Sequence, residues 1–96
     1  MLFAVNCTDK AKSLELRLAT RPAHLEYLSR FLPNLRLAGP VLSDGKPAGS
    51  LILFEAETLE DAQEFADNDP YALAGLFESV RVQPFRVVFQ DGQQVA

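Results

Sequence analysis

Apolar and polar positions alternate with a period of two from Leu2 to Cys7, which predicts a β-strand. Phe3, Val5 and Cys7 fall on one face, and Leu2, Ala4 and Asn6 on the other. Both faces are largely apolar, so the strand is expected at the centre of a sheet. Thr8 or Asp9 is a candidate cap for the next helix. From Lys10 to Phe31 the period lengthens to that of a helix. Leu14, Leu18, Leu25, Leu28 and Leu32 form the expected core stripe. Pro22 interrupts it, and a proline inside a helix costs about 3 kcal/mol unless it stands in the first turn. Thr20 can cap a new start, so a kink or restart is expected there. Pro33-Asn34 closes the segment.

Leu35–Leu42 reads as a second strand, with Gly39-Pro40 breaking its ladder, which predicts an edge or a bulge. Residues 43–47 have turn composition. Ser50–Ala56 is a third strand. Thr58 and Asp61 open a helix in the manner of a capping box, with Leu59, Ala62, Phe65 and Ala66 on its apolar face. The helix is expected to stop by Asp69, because the residue before Pro70 disfavours helical geometry. Pro70–Leu76 predicts a short helical turn ending at Gly75. Ser79–Phe89 is the last strand, placed at an edge by Pro84, and Asp91–Ala96 is a polar tail.

The order β-α-β-β-α-β is the split βαβ, ferredoxin-like arrangement, an α+β fold with an antiparallel sheet and two helices on one face. The first and third strands become central. The two proline-bearing strands become the edges, as their missing donors require. The other sheet face is left bare and mostly apolar, so a second copy of the chain is the expected cover.

Composition narrows the function. A chain of 96 residues has room for one domain, spanning 1–96. Nearly half of it is hydrophobic, at 48%, which again favours burial against a second subunit in so small a domain. The net charge is −4, from 9 basic and 13 acidic residues. The basic residues are dispersed, which argues against nucleic acid and against a charged membrane surface. Met1–Val5 is apolar but too short, and without a basic flank, for a signal peptide. One cysteine, Cys7, permits no internal disulfide and suits a reducing, cytoplasmic compartment. No metal-ligand spacing, phosphate loop or dinucleotide fingerprint is present, so no cofactor is expected.

His24 is the one histidine and the natural candidate for proton transfer near neutral pH. On a continuous helix Arg17, Arg21 and His24 share a stripe at spacings of four and three, suited to an anionic or phenolate ligand. Asp69 either caps the helix that Pro70 begins or orients His24, and one carboxylate can do both. Ser50, next to Gly49, offers a hydroxyl to a ligand or merely starts a strand. Gly39 and Pro40 line a cleft or form a bulge. Tyr71 adds a ring and a hydroxyl to the cleft or only packs. Cys7 reads as a small buried hydrophobe. Glu55, Glu57, Glu60, Asp61 and Glu64 read as a solvated face.

Several segments together resemble the YciI-like family of small ferredoxin-like proteins. They are Arg17-Leu18-Ala19-Thr20-Arg21-Pro22-Ala23-His24-Leu25, Ala38-Gly39-Pro40, Gly49-Ser50, Asp69-Pro70-Tyr71, Ala74-Gly75-Leu76-Phe77 and Val82-Gln83-Pro84-Phe85. The resemblance implies a homodimer whose sheets pack face to face into a dimeric α+β barrel. It also implies a cleft with a histidine–aspartate pair, here His24 and Asp69, and an enzymatic role. Some relatives of this type act on chlorinated or hydroxylated aromatic rings, and others are appended to larger proteins. The expected function is cofactor-independent acid–base chemistry of an isomerase, lyase or dehydrochlorinase kind on a small anionic or aromatic molecule. The alternative is a non-catalytic binding or accessory module.

Overall fold

A computed structural model describes residues 1–96. Four strands form one antiparallel sheet: β1 (Leu2–Asp9), β2 (Leu35–Ser43), β3 (Lys46–Glu55) and β4 (Phe77–Pro84). Their order across the sheet is β2-β3-β1-β4. β2 with Pro40 and β4 with Pro84 are the edges, as expected, while central β3 carries Pro47 at its hairpin end, before its pairing with β1 begins at Gly49. Helices α1 (Leu14–Ser29) and α2 (Leu59–Asp67) share one face of this sheet. Phe3, Val5 and Cys7 of β1 and Ile52 and Phe54 of β3 meet Leu28 of α1 and Ala62, Phe65 and Ala66 of α2 in a single core. Phe54 and Phe65 stack at 3.8 Å between centroids, and Phe31 meets both edge-on. This is the ferredoxin-like α+β arrangement.

The first helix departs from the pattern of its leucines. It begins at Leu14, after Ser13, and runs without a break through Pro22. Thr20 is no cap: its Oγ1 donates to the Leu16 carbonyl one turn back, at 2.8 Å. The expected leucine stripe is not the buried stripe either. Leu18, Leu25 and Leu32 are 54%, 44% and 65% exposed, and the residues buried on α1 are Arg17, His24 and Leu28. The helix is turned so that two polar side chains face the sheet, each held by a carboxylate. Burial of such groups is tolerated only with partners of that kind.

The hairpin between β2 and β3 turns through Asp44 and Gly45, both at positive φ (51° and 75°), so β3 starts four residues before the expected Ser50. Successive positive φ values define the tight turn that Asp-Gly favours. Gly39-Pro40 does not break β2. Gly39 pairs with Leu51 and Pro40 with Ser50, and the irregularities fall at Leu35/Leu37 and Val41/Leu42. On α2, Thr58 caps through its hydroxyl, which accepts from the Asp61 amide at 3.1 Å. Leu59 stays exposed.

Helix α3 is the short turn Pro70–Leu73. Its end is closed by two bonds, Gly75 N–H to the Ala72 carbonyl and Leu76 N–H to the Tyr71 carbonyl, with Gly75 at φ 76°. That double closure needs a left-handed residue, which glycine adopts without strain. The last strand ends at Pro84, earlier than expected. Residues 91–96 are not a plain tail: β5 (Phe89–Gln90) and β6 (Gln93–Gln94) form a hairpin over Asp91-Gly92. On the sheet face away from the helices, Leu37 and Val41 of β2 and Leu51 and Leu53 of β3 stand together, while Asn6, Arg81 and Gln83 make the β1–β4 half polar. The bare face is thus apolar over one half rather than throughout. No helix is long and apolar enough to cross a membrane.

Candidate active site

A cavity of about 210 Å³ opens between α1 and the β2–β3 hairpin. Its helix wall carries Arg17, Arg21 and His24, and its sheet wall carries Gly39, Pro40 and Ser50. Tyr71 of α3 closes one side. The volume lies below the range of roughly 300–1,000 Å³ typical of drug-sized sites and suits a single-ring molecule.

His24 is 8% exposed and Asp69 3%. Histidine Nδ1 lies 2.9 Å from Oδ1 and 3.0 Å from Oδ2 of Asp69. The chain positions 45 residues apart therefore meet in hydrogen-bond contact. A carboxylate only accepts, so Nδ1 carries the proton in the neutral ring and Nε2 carries the lone pair. Nε2 has no protein partner. Since every sealed side-chain nitrogen and oxygen is partnered, Nε2 is open to the cavity that His24 lines.

Asp69 both caps a helix and orients the histidine. Its Oδ1 also accepts from the Tyr71 amide at 2.9 Å and caps α3, with Pro70 in the first helical position. The cap fixes the carboxylate, and the carboxylate fixes the imidazole. Tyr71 then holds the imidazole from its face: the two rings stack at 4.0 Å with 20° between planes. The guanidinium carbon of Arg17 lies 4.6 Å from the centre of the same tyrosine ring. Burial raises the Tyr71 hydroxyl above its ordinary range, against the opposing pull of Arg17 and Arg21.

Arg17 lines the cavity, as expected of it, and is held by protein partners as well. It is 4% exposed, and two of its three guanidinium nitrogens, Nε and Nη2, are held by protein. Nε and Nη2 donate to Oδ2 and Oδ1 of Asp9 at 2.7 and 3.2 Å. Nη2 also reaches the Gly49 carbonyl at 2.8 Å and Ser50 Oγ at 2.7 Å. Burial opposes its charge, but the Asp9 bond and charge more than compensate and raise its pKa. Arg17 is thus paired with Asp9 and braced against β3 while it lines the cavity. Its partner Asp9 ends β1, where the sequence marks it only as a possible helix cap. No local pattern connects it with a residue eight positions on. Arg21, by contrast, is exposed at the cavity wall and forms no ion pair. Leu18, Leu25 and Pro47 also line the cavity, which accounts for two of the three leucines that miss the core.

Gly49 is required where it stands. A Cβ there would collide with the Cys7 carbonyl oxygen on the neighbouring strand. Its freedom lets β3 lie close to β1 while the Gly49 carbonyl faces Arg17. Cys7 is buried, and burial, with the Asp69 charge adding to it, pushes its thiol up to about 12. It is an inert packing residue at neutral pH. His, Cys, Asp and Glu side chains converge nowhere in threes that could hold a metal ion.

The family model for the YCII-related domain matches residues 1–86. Protein YciI of Escherichia coli is 45% identical over 98 residues, covering 93% of this chain and all of that protein. Among solved structures, the 5-chloro-2-hydroxyhydroquinone dehydrochlorinase of Burkholderia phenoliruptrix, in complex with 2,5-dihydroxybenzoquinone, superposes with a TM-score of 0.86. It is 33% identical, and the match covers 90% of this chain and 94% of that one. An antibiotic biosynthesis monooxygenase shares the fold alone, at a TM-score of 0.52 and 10% identity.

Proposed function

The chain belongs to the YCII-related domain family, and from that membership we propose a small enzyme that performs acid–base chemistry on a hydroxylated, ring-bearing small molecule. The observation that carries the proposal is the split use of one imidazole. Nδ1 is held by Asp69, and Nε2 is left open to a cavity of single-ring size. Nε2 takes a proton from a ligand O–H or C–H, Asp69 stabilises the imidazolium that forms, and the same nitrogen returns the proton at the next position or to a leaving group. Isomerisation and elimination both consist of such a pair of transfers. Arg21 attracts a phenolate or carboxylate, Ser50 meets a ligand oxygen, and Gly39 and Pro40 form the wall against the ring. The dehydrochlorinase neighbour, with a dihydroxybenzoquinone bound, supports this substrate class. Consumption of chlorinated or hydroxylated rings by wild-type protein, and its loss in His24→Ala, tests the proposal. Return of every bound ring unchanged would refute it.

One observation favours a binding module without chemistry. Asp69 caps α3 and His24 stacks on Tyr71, so both have structural duties that need no turnover. In either case two copies are proposed to pack through the sheet faces that carry Leu37, Val41, Leu51 and Leu53. Light scattering that shows a monomer at micromolar concentration would exclude that packing.

A further inference from the structure

Ser50 is 4% exposed and lines the cavity. Its hydroxyl has one proton to donate and two lone pairs with which to accept. One lone pair is occupied by Arg17 Nη2 at 2.7 Å. A guanidinium has no acceptor, so the Ser50 proton cannot point back at it. The nearby Gly49 carbonyl is itself engaged by the same Arg17 nitrogen, and Ser50 Oγ donates to no protein group in the structure. The proton's remaining outlet is the cavity. What keeps Arg17 in place is Asp9, whose two oxygens hold Nε and Nη2 with both side chains nearly sealed from solvent.

The geometry points to Asp9 as a positioning residue of this site: acting through Arg17, it commits the Ser50 hydroxyl to donating into the cavity and cancels the charge Arg17 would otherwise present there. The ligand therefore meets the Ser50 proton with an acceptor oxygen, such as a carbonyl, phenolate or carboxylate. The ligand's net charge is read elsewhere, by Arg21. This rests on the reading of the cavity as a small-molecule site and adds to it which side of the ligand faces β3.

The test combines crystallography with binding of 2,5-dihydroxybenzoquinone. In wild-type crystals soaked with the quinone, an oxygen should lie within about 3 Å of Ser50 Oγ on the cavity side. Ser50→Ala should displace it. By calorimetry, Ser50→Ala should weaken quinone binding about tenfold in the wild-type background and hardly at all in Asp9→Asn, because the donor is already misaligned. Arg17→Lys, which keeps the charge but not the fork, is the second background should Asp9→Asn not fold. A Ser50 hydroxyl bonded to a protein carbonyl, or an equal cost of Ser50→Ala in every background, overturns the inference. If the quinone stays out but a water oxygen takes the same position, the hydroxylated-ring reading fails and the role of Asp9 stands.

Discussion

His24 and Asp69 meet through Nδ1 and both carboxylate oxygens, at 2.9 and 3.0 Å, while one of those oxygens also caps α3. One side chain therefore serves the fold and orients the imidazole, and substitutions can separate the two duties.

Asp69→Asn keeps a good capping residue and removes the charge. Asparagine and aspartate are about equal as caps, so stability should change by about 1 kcal/mol or less. Asn can present either an amide donor or an oxygen to Nδ1, so the tautomer preference is lost. Imidazole nitrogen chemical shifts should report a protonated Nδ1 in the wild type and a mixture in the variant. Turnover should fall by about 100-fold or more. Asp69→Ala should lose the cap as well, lowering the denaturant midpoint further.

The Asp9–Arg17 pair is buried and hydrogen-bonded. Removing one partner leaves the other charge uncompensated, which typically costs about 3–5 kcal/mol. Asp9→Ala should therefore take a large share of the roughly 5–15 kcal/mol that holds a domain together. Urea denaturation measures it. A loss below about 1 kcal/mol would mean that Arg17 finds solvent or another acceptor.

Arg21 is exposed and unpaired, so Arg21→Gln should leave stability within about 0.5 kcal/mol. Its effect should appear in binding. Affinity for 2,5-dihydroxybenzoquinone should fall several-fold, and the salt dependence of binding should weaken with it. Unchanged affinity and salt dependence would remove Arg21 from the site.

Cys7 gives a sign for alkaline pH. Its thiol is raised from 9.0 to about 12 in the folded chain. The unfolded thiol loses its proton first, so above about pH 9 the unfolded state holds fewer protons and stability falls as pH rises toward about 12. Tyr27 and Tyr71, also raised by burial, add to the fall from about pH 10. Unfolding midpoints between about pH 8 and 11 should drop, and Cys7→Ala should flatten the first part of that drop. The native thiol should resist iodoacetamide at about pH 8.

The parts of this fold that are legible in the sequence are those written locally. The alternation in β1, the Thr58 cap and the Asp69-Pro70 helix start each rest on neighbouring residues, and each stands where the pattern places it. Pro40 and Pro84 point to the edge strands because a missing donor is a property of one residue, and Pro47 of central β3 is tolerated because it stands before the pairing with β1 begins. Helix α1 is harder, because periodicity cannot say which of two stripes faces the sheet. Leu18 and Leu25 look like core, but Arg17 and His24 are buried in their place, stabilised by Asp9 and Asp69 from distant segments. Residue type and family resemblance suggest the meeting of His24 with Asp69, whereas Asp9 has no local signature at all. The hairpin at Asp91-Gly92 does have one, hidden by the polar composition around it: Asp-Gly is the same turn signal that closes Asp44-Gly45.

The proposed chemistry has Nε2 of His24 move protons on a ring held in the cavity. Its most direct measurement is chloride release from 5-chloro-2-hydroxyhydroquinone, with 2,5-dihydroxybenzoquinone binding followed in parallel, for the wild type and His24→Gln. The wild type should turn over and the variant should lose about 100-fold or more, with quinone binding largely kept. Equal chloride release by both proteins, or binding by the wild type with no turnover at all, would contradict it.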